Sequence, residues 1–153
     1  MITKIQVTKM TRIYLDNCCY NRPFDDQTQI KVAAETKAKL RIQQLIMDRT
    51  LELVVSFISR YENNKNPNLS NRNSIDEFFN YAVEYIDNEQ SGNIKQRTFE
   101  IMKYGIKVKD ALHLACAIEA QCNYFVTTDS DFQKYRSVDI VICNPVGFLR
   151  ILE

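Results

Sequence analysis

The sequence predicts an α/β domain: a three-layer α/β/α sandwich around a central, mostly parallel sheet. Two observations carry this. Short runs rich in β-branched and aromatic residues alternate with stretches of helical periodicity, the pattern of parallel strands joined by right-handed crossovers. The chain has 153 residues with only three glycines and three prolines, which suits one domain over residues 1–153 with no long flexible linker.

Thr11 to Leu15 (TRIYL) alternates polar and apolar residues and reads as the first strand. Asp16 follows it directly, and NCCYNRPFDD reads as a loop from its Asn, Pro and Asp content. Asp26 and Gln29 have the form of a capping box for a long helix from Gln27 to about Asp48. In that helix Ile30, Ala34, Ala38, Ile42 and Leu45 make a core-facing stripe. Leu51 to Val55 (LELVV) is the second strand. Ser56 opens a helix carrying Glu62, and the polar, asparagine-rich stretch from Asn63 to Asn73 reads as a surface loop. Ser74 is the expected cap of a helix from Ile75 to about Asp87. A further helix runs from about Asn93 to Tyr104 and stops at Gly105. Val108 to Cys122 is the next helix, Tyr124 to Thr127 the third strand, and Ser130 to Tyr135 a short helical turn. Val138 to Cys143 (VDIVIC) reads as a last buried strand. Asn144 and Pro145 then form a cap and first-turn pair for a terminal helix.

Composition excludes some classes and leaves others open. Hydrophobic residues at 45% and charged residues at 25% describe an ordinary globular protein. No apolar run approaches the roughly 18 residues of a membrane span. The N-terminal MITKIQVTKM lacks the apolar core of a signal peptide, so a cytoplasmic protein with reduced cysteines is expected. The net charge is +1, but between Lys95 and Lys109 five cations face a single Glu100. That segment is either a solvated helix face or a shelf for a polyanion.

The acids are the informative residues. In an open parallel sheet, sites form beyond the C-terminal ends of the strands. Asp16 ends the first strand there and Asp129 the third, with Asp131 close behind. The helix after Ser56 brings Glu62 toward the same edge, and Asp110 lies in the first turn of an unusually apolar helix. Each acid alone has an ordinary explanation as a cap or a solvated face. Converging carboxylates without a Lys or Arg among them repel, and require protons or divalent cations. Oxygen-only acidic clusters suit Mg²⁺ or Mn²⁺ better than zinc. One or two such ions can activate water and stabilise the leaving oxygen of a phosphodiester.

The order Asp16, Glu62, Asp110, Asp129 resembles the PIN-domain ribonucleases, including the VapC-like toxins of toxin–antitoxin pairs. The resemblance rests on YLDNCCYNRPFDD, SFISRYE, KDALHLACAIEA and TTDSDF, and spans nearly the whole chain from Thr11 onward. It implies a PIN-like α/β/α fold, a divalent-metal-dependent nuclease and an RNA substrate. Asp16, Glu62, Asp110 and Asp129 would be the metal-binding acids, with Asp131 auxiliary. Asn17, Arg22, His113 and Thr128 stand beside these motifs as candidates for substrate or supporting contacts. Arg22 fits either a phosphate contact or an exposed loop arginine. His113 fits either a group orienting the Asp110 carboxylate or a water, or a buried core histidine. The family also suggests that residues 1–10 are an extension before the first strand, and that a cognate antitoxin or a homodimer partner exists. Phe78, Phe79, Tyr81, Tyr85 and the terminal helix are the apolar surface for core or dimer contacts.

Competing readings are weaker. A non-cutting PIN-fold module that binds RNA or protein would not need all four acids. A phosphoacceptor domain would place a lysine at a late strand end, where Cys143-Asn144 stands. A zinc site from Cys18, Cys19, His113 and Cys116 lacks paired CxxC spacing, and nothing in the sequence brings a Cys–His nucleophile pair together.

Overall fold

A computed structural model describes residues 10–88 and 92–153. Five parallel strands form one sheet in the order β3-β2-β1-β4-β5. They are β1 (Arg12–Leu15), β2 (Glu52–Ser56), β3 (Glu84–Ile86), β4 (Tyr124–Val126) and β5 (Val141–Cys143). The helices are α1 (Asn17–Asn21), α2 (Ile30–Met47), α3 (Phe57–Asn64), α4 (Leu69–Phe79), α5 (Gly92–Met102), α6 (Val108–Glu119) and α7 (Pro145–Leu152), with 3-10 turns at Arg22–Phe24 and Ser130–Lys134.

The two-residue period of the strands divides the core into two layers. Tyr14, Val54 and Phe125 point to one face and pack with Ile94, Ile101 and Leu114 of α5 and α6. Ile13, Leu15, Leu53, Val55 and Val126 point to the other and pack with Tyr20, Ile42, Phe79 and Phe148 of α1, α2, α4 and α7. This is the expected α/β/α sandwich, with a sheet that is parallel throughout. Central β1 is buried on both faces, so Asp16 at its C-terminal end is carried into the middle of the sheet edge.

Several local expectations are corrected. The stretch after Asp16 is not a loop: Asn17–Asn21 is helical, because the Asp16 side chain accepts from Asn17 N–H and Cys19 and Tyr20 are buried. Helix α2 starts at Ile30, whose cap Gln29 makes no side-chain bond. Asp26 instead bonds Thr28 in a turn. Its buried face is Val32, Glu35, Ala38, Lys39, Ile42 and Ile46, while Ile30 is 89% exposed. Two charged residues belong to that face, Glu35 against Arg22 and Lys39 over the rings of Tyr20 and Phe78, which the apolar stripe alone does not reveal.

The expected loop from Asn63 to Asn73 is already helical from Leu69, capped by the Asn68 side chain accepting from Asn71 N–H. Ser74 lies inside the helix and bonds back to Ser70 C=O. The helix ends at Phe79, and Glu84–Ile86 is a strand rather than its continuation. Pairing with β2 decides this, since Val83 N–H donates to Leu53 C=O and Val54 stands opposite Glu84. Strand β5 is shorter and more exposed than expected: it covers Val141–Cys143 at the sheet edge, and Val138 is fully exposed. Phe78 and Phe79 belong to the core, while Tyr85 is 37% exposed with the Arg60 guanidinium over its ring. Residues 1–9 of the expected extension lie outside the described residues.

Candidate active site

Asp16, Asn17, Cys18, Asn21, Asp25, Glu62, Asp110 and Asp129 line one open cleft of about 350 Å³ at the C-terminal edge of the sheet. They come from four separate parts of the chain, which only the β2-β1-β4 strand order and the α6 packing bring together. Among the described residues no Lys or Arg lines the cleft. The four acids expected from sequence all face it, with Asn17. Arg22, His113, Thr128 and Asp131 do not line it.

Asp16 is the most enclosed of the cleft acids, 6% exposed. Its Oδ1 accepts from Asn17 N–H at 2.8 Å and its Oδ2 from the Thr127 hydroxyl at 2.8 Å. Its own N–H donates to Val126 C=O, tying the end of β1 to the end of β4. Cys18 Sγ lies 3.2 Å from Oδ2, so thiol and carboxyl compete for one proton. The Cys18 thiol is brought down to about 5, mainly by its bond with the Cys19 thiol and against burial, with Thr128 and Thr127 assisting. Burial, and then the charge on Cys18, push the Asp16 carboxyl well above the usual range. A cation bound at the cleft would compete with that proton.

Glu62 is held from behind. The Tyr14 hydroxyl on β1 lies 2.6 Å from Ser56 Oγ, 3.0 Å from Ser59 Oγ and 2.6 Å from His113 Nδ1. His113 Nε2 in turn is hydrogen-bonded to Glu62 Oε1. Tyr14, His113 and Ser56 are completely buried. The consistent assignment has the serine hydroxyls donating to Tyr14, Tyr14 donating to Nδ1, and Nε2–H donating to the carboxylate. Ser56 and Ser59 also form the reciprocal cap of α3, so one network fixes both the start of that helix and its acid. Partial burial works against the Glu62 charge, but the hydrogen bond from His113, with the positive charges of Lys109 and Lys65, holds the carboxyl below its usual range. His113 is therefore a buried residue that orients a site acid, and its bonded partner is Glu62 rather than Asp110.

Asp110 and Asp129 complete the cleft. The Asp110 carboxyl is raised by burial and then by the nearby charges of Asp129 and Glu62, against His113 and Lys107. Asp129 caps the following 3-10 turn, one oxygen accepting from Asp131 N–H at 2.9 Å. Asp131 itself is exposed and lies 3.8 Å from Lys134.

Arg22 donates to Glu35, which is nine-tenths buried and more, and to Asp25 on the cleft wall. Thr128 N–H donates to Cys18 Sγ. Tyr14, Ser59, Cys18, Asn21 and Asp25 were missed as site residues. Asp25 sits in the NRPFDD segment in plain view, whereas nothing in TRIYL distinguishes Tyr14 from a core aromatic.

Among the described residues, no group of three or more His, Cys, Asp and Glu side chains is arranged to hold a metal ion as it stands, which includes the Cys18, Cys19, His113 and Cys116 set. All five cysteines are free. The donor chemistry of the cleft nevertheless suits a hard divalent cation: Asp16, Glu62, Asp110 and Asp129 all offer carboxylate oxygens, and the charges of Asp129 and Glu62, which add to burial in raising Asp110, are what such an ion offsets.

A family model, the PIN domain, matches residues 13–138. That range contains β2, β3, β4, all of β1 but Arg12, and every acid of the cleft. The chain belongs to the PIN-domain family, whose members are generally nucleases. No curated protein matches it.

Proposed function

We propose that this protein is a divalent-metal-dependent endoribonuclease that hydrolyses RNA phosphodiester bonds at the acidic cleft. The observation that carries the reading is the convergence of Asp16, Glu62, Asp110 and Asp129 on one open cleft with no cation among the described residues of its lining. Such a cleft repels a bare phosphate, so seating one among the acids requires the positive charge of a cation bound there. Mg²⁺ or Mn²⁺, one or two ions, would supply it and would activate the attacking water and stabilise the leaving oxygen.

The chain's own residues do the rest. Glu62 is kept ionised and oriented by His113. Asp129 has one oxygen committed to its turn and the other free for the cleft. Asn17 and Asn21 offer neutral amides that tolerate phosphate oxygens. Lys65, Lys107 and Lys109 lie close enough to act on the acids and form a cationic rim for flanking phosphates. Exposed Tyr61, with Lys65 Nζ 4.3 Å from its ring centre, adds a stacking surface for a base.

The same motifs support a place among VapC-like toxins restrained by a cognate antitoxin, in the cytoplasm. The direct test is cleavage of a structured RNA and of a single-stranded DNA with and without EDTA. Cleavage of RNA that EDTA abolishes and Mg²⁺ or Mn²⁺ restores supports the proposal. Metal-independent RNA binding without cleavage of any RNA would replace it with a non-cutting RNA-binding module.

A further inference from the structure

Away from the acidic cleft, α1, α2 and α4 enclose a second, mostly apolar cavity of about 220 Å³. Tyr20, Phe24 and Phe78 form aromatic walls, and Lys39, Gln43 and Ser74 bring polar groups into its lining. An adjoining shallow groove shares Gln43, Ser74 and Phe78 and continues to exposed Met47 and Arg49.

Lys39 is the unusual member. It is only 5% exposed, and among the described residues no carboxylate pairs with it. One of its three N–H donors goes to Gln43 Oε1 at 2.6 Å. Its ammonium otherwise lies over the rings of Tyr20 and Phe78, 5.8 and 5.4 Å from their centres. A cation taken out of water needs a counter-charge, and ring faces offset only part of that cost. Tyr20 is a second buried polar residue of this lining: among the described residues its hydroxyl has no hydrogen-bond partner. Buried polar groups left unmatched beside a cavity mark a place where a ligand completes the bonding.

We propose that this cavity binds a small monocarboxylate with an aromatic or short aliphatic body. The carboxylate accepts from the two spare donors of Lys39, and the body lies against Tyr20, Phe24 and Phe78. A single negative charge matches the single cation. Phosphate would bring a larger desolvation cost into an apolar lining, an amine would be repelled, and a neutral alcohol would leave the cation unpaired. The site shares no lining residue with the acidic cleft, so it stands or falls apart from the nuclease reading.

The test is a titration of the full chain followed by NMR, with benzoate and hexanoate as probes and benzyl alcohol, benzylamine and inorganic phosphate as controls. Saturable shifts at the Tyr20 and Phe78 rings and at the Lys39 side chain are expected for both carboxylates. Benzyl alcohol should bind about tenfold more weakly, as the loss of a charged hydrogen bond implies. Lys39→Met should weaken carboxylate binding by about tenfold or more and erase the preference over the alcohol. Phe24→Ala, at a position 47% exposed and so tolerant of change, should weaken both carboxylates even if Lys39→Met does not fold. No saturable response to either carboxylate, or undiminished binding in the variants, overturns the proposal.

Discussion

The Nε2 atom of His113 on α6 is hydrogen-bonded to the Glu62 carboxylate on α3, while its Nδ1 sits 2.6 Å from the Tyr14 hydroxyl on β1. One imidazole thus registers two helices against the central strand and aims an acid into the cleft. The chain's single histidine is spent on this bridge, wholly out of contact with water.

Replacing it separates stability from chemistry. His113→Ala leaves the Glu62 carboxylate without its buried partner, removes one of three from the Tyr14 hydroxyl, and should destabilise the fold by roughly 2–4 kcal/mol. Cleavage by the folded fraction should fall by about 10–100-fold, the range seen when a group orienting a metal-binding residue is lost. His113→Gln, which keeps a donor on the side chain, should recover part of the activity. Denaturant titration alongside single-turnover cleavage separates the two effects, and full activity per folded molecule in His113→Ala would remove the positioning role.

At the cleft itself, Asp16→Asn and Asp110→Asn should each reduce metal-dependent cleavage to background while leaving the fold intact. Because burial already raises both carboxyls, neutral Asn is well tolerated there, and the folded protein should be no less stable than the parent. Circular dichroism melting checks the second half of this expectation. Cleavage that survives either substitution would mean that the reacting groups lie elsewhere.

The buried ammonium makes a prediction about pH. Burial lowers the Lys39 amine from 10.5 to about 8. The folded chain therefore binds fewer protons than the unfolded chain between about 8 and 10.5, and stability from this group rises with pH across that window. Below it the charge is present in both states, and the burden, of order 3 kcal/mol, is felt in full. Lys39→Met should then be more stable than the parent by roughly 1–3 kcal/mol at neutral pH, with the gap narrowing toward about pH 10. Guanidinium unfolding of both proteins at the two pH values measures it. A gap that does not change with pH would show that Lys39 titrates as an ordinary lysine.

Arg22 carries a different burden. Among the described residues its guanidinium is the ion-pair partner of buried Glu35, and it also holds Asp25 at the cleft wall. Arg22→Ala should cost about 3 kcal/mol by leaving a buried carboxylate unpaired. The Arg22→Ala, Glu35→Ala double substitution should cost less than the sum of the two single changes. A simple phosphate contact would lower cleavage without that loss of stability, so thermal melting decides between the two accounts.

Much of this architecture was legible in the sequence because it depends on patterns a few residues long. The alternation in Arg12–Leu15 and Glu52–Ser56, the Asn144-Pro145 cap and the apolar run of α6 all act locally. Strand β3 was not legible. Residues Glu84–Ile86 have no strand signature of their own and take that form because β2 offers a free edge to pair with. The face of α2 was misplaced for a related reason. Glu35 is buried by Arg22, and Lys39 by Tyr20 and Phe78, so its polar members are fixed by distant partners and not by hydrophobic period.

What the sequence determined by itself is the order of acids and strands: Asp16 directly after one buried strand, Asp129 shortly after another, Asp110 at the head of an apolar helix. Given a parallel sheet, chain direction alone sends these groups to a common edge. Only the tertiary structure decided how that edge is finished. It added Asp25 and Cys18 to the cleft, moved Asp131 out of it, and coupled Glu62 to Tyr14 through His113. Those relations join residues 51 and 99 positions apart in the chain, and such contacts are set by packing between layers, which no local pattern encodes.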